Sequence, residues 1–599
     1  MRVKVSDYIA QFLVDNGITD AFTVVGGGAM HLNDAFGHQK GLRCTYNHHE
    51  QACAIAAEAY ARMNNNIALC CVTTGPGGTN AITGVVGGWL DSIPMLVISG
   101  QVRFDTTARS TGLPLRAMGD QEFDICKAVE CMTKYCEMVI DPLSIRYCLQ
   151  KALHMAKEGR PGPSWLDIPL NVQGAYIDTD DLYPDYIPED NKYEAQDSQI
   201  EAIIEAVRKA KRPVINAGSA IRTSGSYEIF HELVKKLNIP VVTGWNSIDV
   251  IEDDHRLYVG RAGIMGDRPG NFAIQNSDLV LSLGSRLSIR QVGYNFKTWA
   301  REAYVISVDI DEAELKKPTL HIDLPVCADV HSVIEKLNKA LPDEPLFTGD
   351  DWINICNGWK KDYPVVLPKH YEDTDLTNVY AFIKELSKRL PDNYTTVVGN
   401  GSACVVGSHG YEIHKNSRFI INSAIASMGY DLPAAIGACV ALNGEEIVCI
   451  SGDGSIQMNL QELQTILTNK LPIKIFVINN SGYHSIRQTQ TNFFELPYVG
   501  IGPDSADLEF PELSKLAVAY GYNYVSCKSN SELGDFLDKV FSEEGPILAE
   551  VFVGTKQLFE PKSSAKRLPD GTMVSPPLED LSPFLPDEEM DKIMIIPRL

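Results

Sequence analysis

Ser451-Gly452-Asp453-Gly454 and, further on, Asn479-Asn480 are the stretches of this sequence from which its fold can be worked out. Each follows a run of apolar, mostly β-branched residues, 447–450 and 473–478, a pattern typical of strands buried on both faces of a parallel sheet. Between them, apolar residues recur at a helical period: Ile456, Leu460, Leu463 and Leu467. The sequence therefore predicts a strand, one helix and a second, parallel strand.

The polar residues Asp453 and Asn480 would then stand side by side at the carboxyl ends of neighbouring strands, where open α/β sheets bind ligands. A carboxylate and a carboxamide, with glycines that permit close backbone approach, suit a hard cation that carries phosphate oxygens. Gly-Asp-Gly alone has a simpler interpretation, which is an ordinary strand-to-helix turn with the aspartate as its cap.

The complete unit is more specific than either stretch, because residues 455–478 set a separation of 24 residues between them. Gly-Asp-Gly, this spacing and Asn-Asn together resemble the diphosphate-anchoring motif of thiamine diphosphate enzymes. The resemblance implies that the side chains of Asp453 and Asn480 hold Mg²⁺, with the backbone carbonyl of Gly482 as a further ligand.

The composition sets the general class of the protein. A chain of 599 residues is too long for one hydrophobic core, and at about 150 residues each it predicts three or four domains. With 44% hydrophobic and 22% charged residues, it has the composition of a soluble globular protein. The net charge of −24 argues against nucleic acid or an anionic membrane as a partner. An anionic substrate in a locally basic pocket remains compatible with that charge.

The lack of a recognisable targeting signal and the cysteine usage predict a cytoplasmic protein. The amino-terminal residues contain no apolar signal-peptide core, and no uncharged apolar run of 18 residues predicts a membrane span. The 14 cysteines lie mostly in apolar runs and show no Cys-x-x-Cys spacing. We therefore expect reduced thiols and neither disulfides nor zinc.

The first part of the chain, to about residue 180, alternates short apolar strands with helices. Gly26-Gly27-Gly28 follows one strand and indicates close approach of the backbone to another group. Residues 73–80 follow another strand with threonines and glycines; they could bind an anion, and close helix–strand packing explains them equally well. Glu50 begins a helix of small residues, a position where glutamate is usually a partner of the helix dipole.

Residues 26–30, 49–51, 75–77 and 91–94 resemble, in order and separation, the pyrimidine-binding domain of the acetohydroxyacid (acetolactate) synthase group of thiamine diphosphate enzymes. The resemblance assigns Glu50 to the N1′ atom of the cofactor's aminopyrimidine. That role needs a carboxyl in a water-poor pocket, and hence a raised pKa. Gly27 and Gln121 are implied as further catalytic residues. The cofactor contacts implied in this domain are Gly26, Gly28, Gly75 and Asn80.

Residues 195–340 predict a second α/β unit, whose strands end in glycine or acidic residues as in nucleotide-binding sheets. Without a clean Gly-x-Gly-x-x-Gly, the spacing alone indicates only a structural unit. The resemblance places a structural FAD here, with a vestigial site as the alternative. The sequence departs from the family's FAD-binding pattern at two segments, 218–220 and 286–290, and these departures weaken the resemblance. Both arginines of the second segment remain. The implied FAD residues are Gly218, Ser219, Gly263, Gly284, Arg286, Arg290, Asp309 and Asp329.

Residues 365–557 predict the third α/β unit, the diphosphate-binding domain. By position, Met428 matches the bulky apolar residue that bends the cofactor in this family, and the alternative is a methionine that fills a gap in the core. The cofactor contacts implied here are Gly401, Ser402, Ser427, Met428, Gly452, Gly454, Ser455, Tyr483 and His484. The predicted fold is therefore α/β, with three doubly wound parallel-sheet domains (1–180, 195–340 and 365–557) and a carboxyl-terminal arm (558–599).

An acceptor pocket is expected next to the diphosphate motif. Branched-chain acetohydroxyacid synthases carry Trp where Thr489 stands and Met where Ser485 stands, so the smaller residues predict a wider, more polar pocket. Arg487 and His484 could meet a phosphate or carboxylate, or could be loop residues without a role. By position, His31 and Lys134 are further residues of this pocket.

The resemblance implies decarboxylation of a 2-oxo acid, most plausibly pyruvate, and transfer of the two-carbon unit. The wide, polar pocket resembles that of the branch of this group that transfers acetyl units onto ketose carbons of nucleotide-linked deoxysugars in surface-polysaccharide pathways, which implies such a carbon as the acceptor. The alternatives are an acetolactate synthase that joins two pyruvates, a pyruvate oxidase-like or decarboxylase-like enzyme, and an inactive interaction protein. The family also implies a homodimer or homotetramer whose active sites are shared between subunits. The Pro-rich, acidic tail is either disordered or an arm that folds over a neighbouring site.

Overall fold

The computed structural model describes residues 2–189, 193–372, 376–567 and 571–599. In this part of the chain, three six-stranded sheets are parallel throughout and are flanked by helices. The predicted α/β fold with three parallel-sheet domains is therefore confirmed. No helix of the described residues combines the length and the apolar character that a membrane crossing requires.

The first sheet has its topological switch point between the strands Asp20–Thr23 and Leu69–Val72. Gly26 and Thr73 follow these two strands, so they meet at the crevice where such sheets bind ligands. In spatial order its strands are Arg43–Tyr46, Asp20–Thr23, Leu69–Val72, Met95–Gln101, Pro163–Pro169 and Tyr135–Met138. Its helices are Val5–Asp15, Met30–His38, Glu50–Asn64, Pro76–Asp91, Ala108–Thr111, Ile125–Val129, Ile145–Lys157 and Leu170–Gln173.

The topological switch point of the central sheet lies between the strands Pro213–Ala217 and Leu279–Leu283. In spatial order its strands are Tyr258–Arg261, Val241–Thr243, Pro213–Ala217, Leu279–Leu283, Tyr304–Asp309 and Leu324–Cys327. The helices of this region are Asp197–Lys209, Ala220–Thr223, Tyr227–Leu237, Arg268–Asn276, Ile289–Val292, Glu312–Lys316, Val330–Ala340 and Asp350–Asp362. The last of these carries Trp352 and Trp359, both buried in the central core.

The topological switch point of the third sheet lies between the strands Thr395–Val398 and Ile447–Gly452. In spatial order its strands are Arg418–Ile420, Thr395–Val398, Ile447–Gly452, Ile473–Asn479, Ile547–Phe552 and Asn523–Cys527. Its helices are Val379–Arg389, Ser402–Gly410, Asp431–Ala441, Glu462–Thr468, His484–Phe493, Leu513–Tyr520 and Leu533–Ser542.

The connection between the strands Ile447–Gly452 and Ile473–Asn479 differs from the prediction. Instead of one helix, a 3₁₀ turn, Ile456–Asn459, precedes the shorter helix Glu462–Thr468. The side chains of Asn459 and Glu462 are buried at this break. The apolar period predicted the buried face correctly but gave no signal for the change of helix type.

The first and third domains pack through the helices Glu50–Asn64 and Asp431–Ala441. A β-carbon on Gly437 would overlap the backbone carbonyl of Ala56, so these two helices approach more closely than larger residues would permit. The small residues predicted in the helix that Glu50 begins are thus explained by packing between domains.

The tail, as far as it is described, is ordered and docks on the central domain of its own chain. It contains the strands Lys566–Arg567 and Met573–Val574 and the helix Asp587–Ile593. Five of its apolar residues belong to the central hydrophobic core: Leu578, Met590, Ile593, Met594 and Ile596. Of the two expectations for the tail, disorder is therefore wrong for these residues.

Candidate functional site

The diphosphate motif, defined as residues 452–455 together with 479–482, lies at the carboxyl ends of two neighbouring strands. The backbone N–H groups of Gly482 and Gly454 donate to the two oxygens of Asp453, at 2.7 and 3.0 Å. Asp453 is buried, and burial raises its pKa to about 7, while these backbone hydrogen bonds act in the opposite direction. The carboxylate is thus fixed in orientation and poorly hydrated, which suits a cation ligand.

Asn480 is the second side chain of the motif. Its Nδ2 donates to the hydroxyl of Ser402 at 2.8 Å, which directs the amide toward the first residue of the helix Ser402–Gly410. Gly401 precedes this helix with a φ of +81°, and a β-carbon there would meet open space. The helix start, the amide and the carboxylate therefore surround one crevice at the switch point of the third sheet.

Met428 lies on a loop of unusual backbone. Ala426 before it and Gly429 after it both have positive φ, +53° and +76°. The backbone N–H of Gly429 donates to the hydroxyl of Ser455 at 3.0 Å, and that hydroxyl donates to the buried Asp431 at 2.8 Å. The loop is therefore tied to the diphosphate motif, and it presents the Met428 side chain outward, 38% exposed.

The glycine turn 26–28 forms a cradle in the first domain. A β-carbon on Gly26 would come within 2.5 Å of Thr73, and one on Gly28 within 2.7 Å of Thr74. Gly27, by contrast, faces open space. The backbone N–H of Gly28 also donates to the hydroxyl of Thr73 at 3.1 Å. Only glycine permits this approach, and the exposed backbone of Gly27 remains accessible to a ligand.

Glu50 is the first residue of the helix Glu50–Asn64 and is half-buried. The amide of Asn80 donates to its Oε2 at 2.9 Å, so two of the cofactor contacts predicted for this domain do meet. The hydrogen bond fixes one carboxyl oxygen and leaves the other for a ligand group. No geometry of the described residues beyond this bond assigns Glu50 its predicted catalytic role.

Gln121 lies beside the turn at Gly75. Gln121 has a φ of +60°, and its backbone carbonyl is the group that a β-carbon on Gly75 would approach, at 2.6 Å. Thr74 on the same turn donates to Gln101 at 2.7 Å, and Gln101 donates to the fully buried Asp167 at 3.0 Å. This chain of buried hydrogen bonds thus supports the turn at Gly75. Sequence analysis did not single out Gln101 or Asp167.

The structure places His484 and Arg487 beneath the loop rather than in an open pocket. Both are about 5% exposed. His484 hydrogen-bonds the backbone carbonyl of Gln557 at 2.6 Å, and Arg487 donates to the backbone carbonyls of Asn480 and Ser481 at 2.9 and 2.6 Å. These groups hold the loop in place, and their polar atoms are occupied by the protein itself.

Lys134 is not brought to the site. It immediately precedes the strand Tyr135–Met138, so it lies at the amino end of the sheet, whereas Gly26 and Gly75 lie at the carboxyl end. Its ammonium group donates to the backbone carbonyls of Glu158 and Arg160. His31 lies at the start of its helix and packs toward Gly174. The predicted pocket role of Lys134 is therefore corrected by the direction of its strand.

Ser485 and Thr489 lie one turn apart on the helix His484–Phe493, and Thr489 donates to the backbone carbonyl of Ser485 at 3.1 Å. Thr489 is exposed and Ser485 is half-buried. Ile486 on the same helix is 49% exposed, and Phe493 is 67% exposed. The outward face of this helix is thus open in a single chain, with small polar residues beside large apolar ones.

A cavity of about 480 Å³ lies at the switch point of the central sheet, where the three domains meet. Seven of the eight predicted FAD residues line it: Gly218, Ser219, Gly284, Arg286, Arg290, Asp309 and Asp329. Gly263 does not, since it packs against the backbone of Arg290. Asp91, Arg160 and Ser423 contribute to the wall from the other two domains.

Trp245 also lines this cavity, and sequence analysis did not single it out. The guanidinium of Arg290 lies over its ring, 4.6 Å from the centroid. Its indole N–H is buried and has no hydrogen-bond partner among the described residues. A cavity of this size with a glycine turn, two arginines and an unpartnered donor is suited to an anionic, planar ligand.

The site thus offers two half-sites and one cavity. Asp453, Asn480 and the backbone carbonyl of Gly482 carry oxygen atoms of the kind that Mg²⁺ prefers as ligands. The glycine cradle and the carboxyl of Glu50 could receive a heteroaromatic group with a ring nitrogen. The residues therefore fit the cofactor that the sequence resemblance implies.

Comparison with protein families gives matches to each domain. Residues 3–127 match the N-terminal TPP binding domain of thiamine pyrophosphate enzymes. Residues 200–337 match their central domain, and residues 399–551 match their C-terminal TPP binding domain.

Curated relatives match over almost the whole length. An acetolactate synthase large subunit from Lactococcus lactis subsp. lactis is 32% identical over 561 residues, covering 92% of this chain and 93% of the relative. One from Cyanidium caldarium is 30% identical, covering 92% and 93%. The acetolactate synthase isozyme 2 large subunit from Escherichia coli is 29% identical over 584 residues, covering 96% and 100%.

Proposed function

Because the chain belongs to the acetolactate synthase group of thiamine diphosphate enzymes, we propose that it decarboxylates pyruvate and transfers the two-carbon unit to an acceptor carbonyl. The observation that carries the proposal is the pair of half-sites. One is the buried carboxylate of Asp453 held by the Gly482 loop, and the other is Glu50 held by Asn80. A chain with both half-sites intact is unsuited to the role of an inactive interaction protein.

The cofactor is thiamine diphosphate, which when bound supplies the electron sink for loss of CO₂. In our proposal, Asp453, Asn480 and Gly482 hold Mg²⁺ for the diphosphate group. Glu50 holds a proton at the ring nitrogen of the aminopyrimidine through the carboxyl oxygen that Asn80 does not engage. Met428 supports the cofactor from the exposed loop.

The acceptor in this proposal is a ketose carbon of a nucleotide-linked deoxysugar. It is supported by Thr489 and Ser485, whose small polar side chains stand on the helix His484–Phe493 next to the diphosphate motif. The second candidate is acetolactate formation from two pyruvates, which the names of the relatives support.

The test is a product analysis. Purified enzyme with thiamine diphosphate, Mg²⁺, FAD and pyruvate is assayed for CO₂ and acetolactate, with and without a 4-keto-6-deoxy nucleotide sugar. We expect slow turnover alone and a branched sugar with two added carbons when the sugar is present. Rapid acetolactate formation that the sugar does not change would establish the second candidate, and absence of CO₂ would exclude pyruvate as the donor.

For the central cavity we propose FAD as a structural cofactor. Its support is the glycine turn at Gly218, the arginines Arg286 and Arg290, and the unpartnered indole N–H of Trp245. Titration with FAD should quench tryptophan fluorescence saturably, and Trp245→Phe should remove most of that quenching while binding persists. If FAD does not bind by equilibrium dialysis, the cavity is vestigial.

The active unit that we propose is a homodimer, with Glu50 from one subunit and Asp453 from the other at each site. Large apolar residues exposed in a single chain support it on both domains. On the first domain they are Val25, Met30, Leu113, Leu115 and Met118, and on the third Met428, Met458, Ile486, Phe493, Phe494, Leu496 and Val499. Many large apolar side chains exposed on one domain are typical of surfaces that are covered in an assembly.

A further inference from the structure

Glu462 is a carboxylate with no exposed surface in the third domain, and its hydrogen bonds reach into the first domain. Its Oε2 accepts from the side-chain amide of Asn47 at 2.9 Å, and its Oε1 accepts from the backbone N–H of His48 at 3.1 Å. The hydroxyl of Thr465, on its own helix, donates to Oε2 at 2.7 Å. Two of its three donors thus belong to the segment that leads directly into Glu50.

A second contact lies on the other side of Glu50. The amide of Asn459 donates to Oε1 of Gln51 at 2.9 Å and to the backbone carbonyl of Gly429 at 2.7 Å. Asn459 and Glu462 both lie in the short segment that follows Asp453 in the chain. Asn47 and His48, shortly before Glu50, and Gln51, directly after it, are therefore attached to the segment that carries Asn459 and Glu462.

The carboxyl of Glu462 is fully buried, and its hydrogen-bond donors are a side-chain amide, a backbone N–H and a hydroxyl. A buried carboxylate held by three neutral donors is costly in free energy, because its charge has lost the solvation of water. Its hydrogen bonds to Asn47 and His48 give that carboxylate a specific structural task.

We propose that Glu462 is a positioning residue, which fixes the segment before Glu50 and thereby the direction of the Glu50 carboxyl toward the cofactor. This inference rests on the proposed role of Glu50. If the sites are shared between subunits, the same contacts join the diphosphate motif of one site to the catalytic carboxyl of the other. Misplacement of a reacting group by about 1 Å costs on the order of 10²-fold in rate, so the contact is expected to affect kcat rather than cofactor binding.

The test uses Glu462→Gln, alone and combined with Asn47→Asp, in the full-length enzyme. The Gln side chain keeps an acceptor for His48 but meets the Asn47 amide with a second donor. Asn47→Asp restores a donor–acceptor pair with the polarity reversed. Thr465→Val is the matched control, because it removes the one donor that does not lead to Glu50.

The readouts are deuterium exchange at C2 of bound thiamine diphosphate, kcat, KM, the Kd of the cofactor, and amide exchange of a peptide covering residues 44–51 in cofactor-free enzyme. Glu462→Gln should slow C2 exchange and lower kcat about tenfold, change Kd less than about threefold, and speed amide exchange in that peptide. The double variant should recover C2 exchange to within about threefold of wild type, and Thr465→Val should stay within about twofold.

Three outcomes would overturn the inference or separate it from the proposed function. If Glu462→Gln leaves C2 exchange unchanged while Glu50→Gln abolishes it, Glu462 has no positioning role. If Glu462→Gln and Thr465→Val lose only thermal stability, and Glu462→Gln combined with Asn47→Asp recovers nothing, the contact serves the fold alone. If Glu50→Gln itself exchanges at the wild-type rate, the proposed role of Glu50 is what fails.

Discussion

The backbone N–H of Gly482 donates a hydrogen bond of 2.7 Å to Oδ2 of Asp453, joining the ends of two neighbouring strands. Gly482 has a φ of +117°, and a β-carbon there would overlap the carbonyl oxygen of Ile501. No other residue can adopt this position without moving the loop. The carboxylate of Asp453, the proposed metal ligand, is therefore held in one orientation by the loop itself.

Gly482→Ala should displace this loop and weaken Mg²⁺-dependent binding of thiamine diphosphate. We expect the Kd of Mg²⁺ in the presence of thiamine diphosphate to rise at least about tenfold. One of the two hydrogen bonds that orient Asp453 is lost, and the carbonyl of Gly482, the further ligand that we propose, moves. Isothermal titration of Mg²⁺ in the presence of thiamine diphosphate measures it. Gly358→Ala is the control, since that glycine lies within a helix and a β-carbon there meets no atom within 4 Å. Equal affinity in both variants would contradict the prediction.

The strands and turns of the site could be predicted because they depend on local sequence. Apolar β-branched runs followed by glycine identify strand ends near Gly26, Asp453 and Gly482 without knowledge of distant residues. The sheet then brings these ends together by a rule of handedness that all such folds obey.

The contacts that determine side-chain direction could not be predicted in this way. Glu462 meets Asn47 across 415 residues of sequence, and no local pattern encodes that pairing. His484 follows the motif closely, yet it turns inward because the backbone of Gln557 supplies an acceptor there. The position of Lys134 depends on the strand Tyr135–Met138, which begins directly after it and places it at the amino end of the sheet.

Mixed dimers test whether the sites are shared. Glu50→Gln and Asp453→Asn should each be nearly inactive, with losses on the order of 10²–10⁴-fold for Glu50 if it transfers a proton as we propose. If each site combines Glu50 of one subunit with Asp453 of the other, a mixed dimer contains one intact site and one doubly altered site. Co-refolded or co-expressed mixtures should therefore regain about half of the activity per mixed dimer. Activity that stays at the level of the separate variants would indicate sites within one chain.

Thr489→Trp should narrow the acceptor pocket that we propose. An indole on the exposed face of the helix His484–Phe493 would occupy space beside the diphosphate motif. We expect the KM for a nucleotide-sugar acceptor to rise about tenfold or more, while pyruvate consumption without the sugar changes less than about threefold. Thr491→Trp is a control on the same helix, two residues further along. A uniform loss with both acceptors would indicate a folding defect instead of a change in specificity.

The tail should stabilise the central domain through a few buried residues. Ile593→Ala removes a side chain that is 4% exposed in the central core and should lower the free energy of unfolding by about 2–4 kcal/mol. Ile595→Ala is the matched control, since Ile595 is 45% exposed, and it should cost less than about 1 kcal/mol. Urea unfolding followed by tryptophan fluorescence measures both. Equal midpoints would mean that the tail does not contribute to the core in solution.

Asp167 should make the stability of the first domain depend on pH. The pKa of Asp167 is raised from 3.8 to about 7, mainly by burial, and the charge of Asp124 acts in the same direction. Hydrogen bonds from Ser99 and Gln101 and the charge of Arg109 act in the opposite direction. Between about pH 4 and 7 the folded protein therefore holds a proton that the unfolded chain has released. Stability should fall as pH rises through this window, by up to about 4 kcal/mol, and level off above it.

Asp167→Asn should abolish this dependence, because the amide cannot ionise and can still pair with Ser99 and Gln101 after rotation. Unfolding midpoints of both proteins at pH 5 and pH 8 measure the effect, and their difference isolates Asp167 from the other titrating groups. The variant should be the more stable of the two at pH 8 and should lose that advantage at pH 5. If the difference between the two proteins is the same at both pH values, the carboxyl of Asp167 is already ionised at pH 5 and the buried polar chain beneath Gly75 carries a charge.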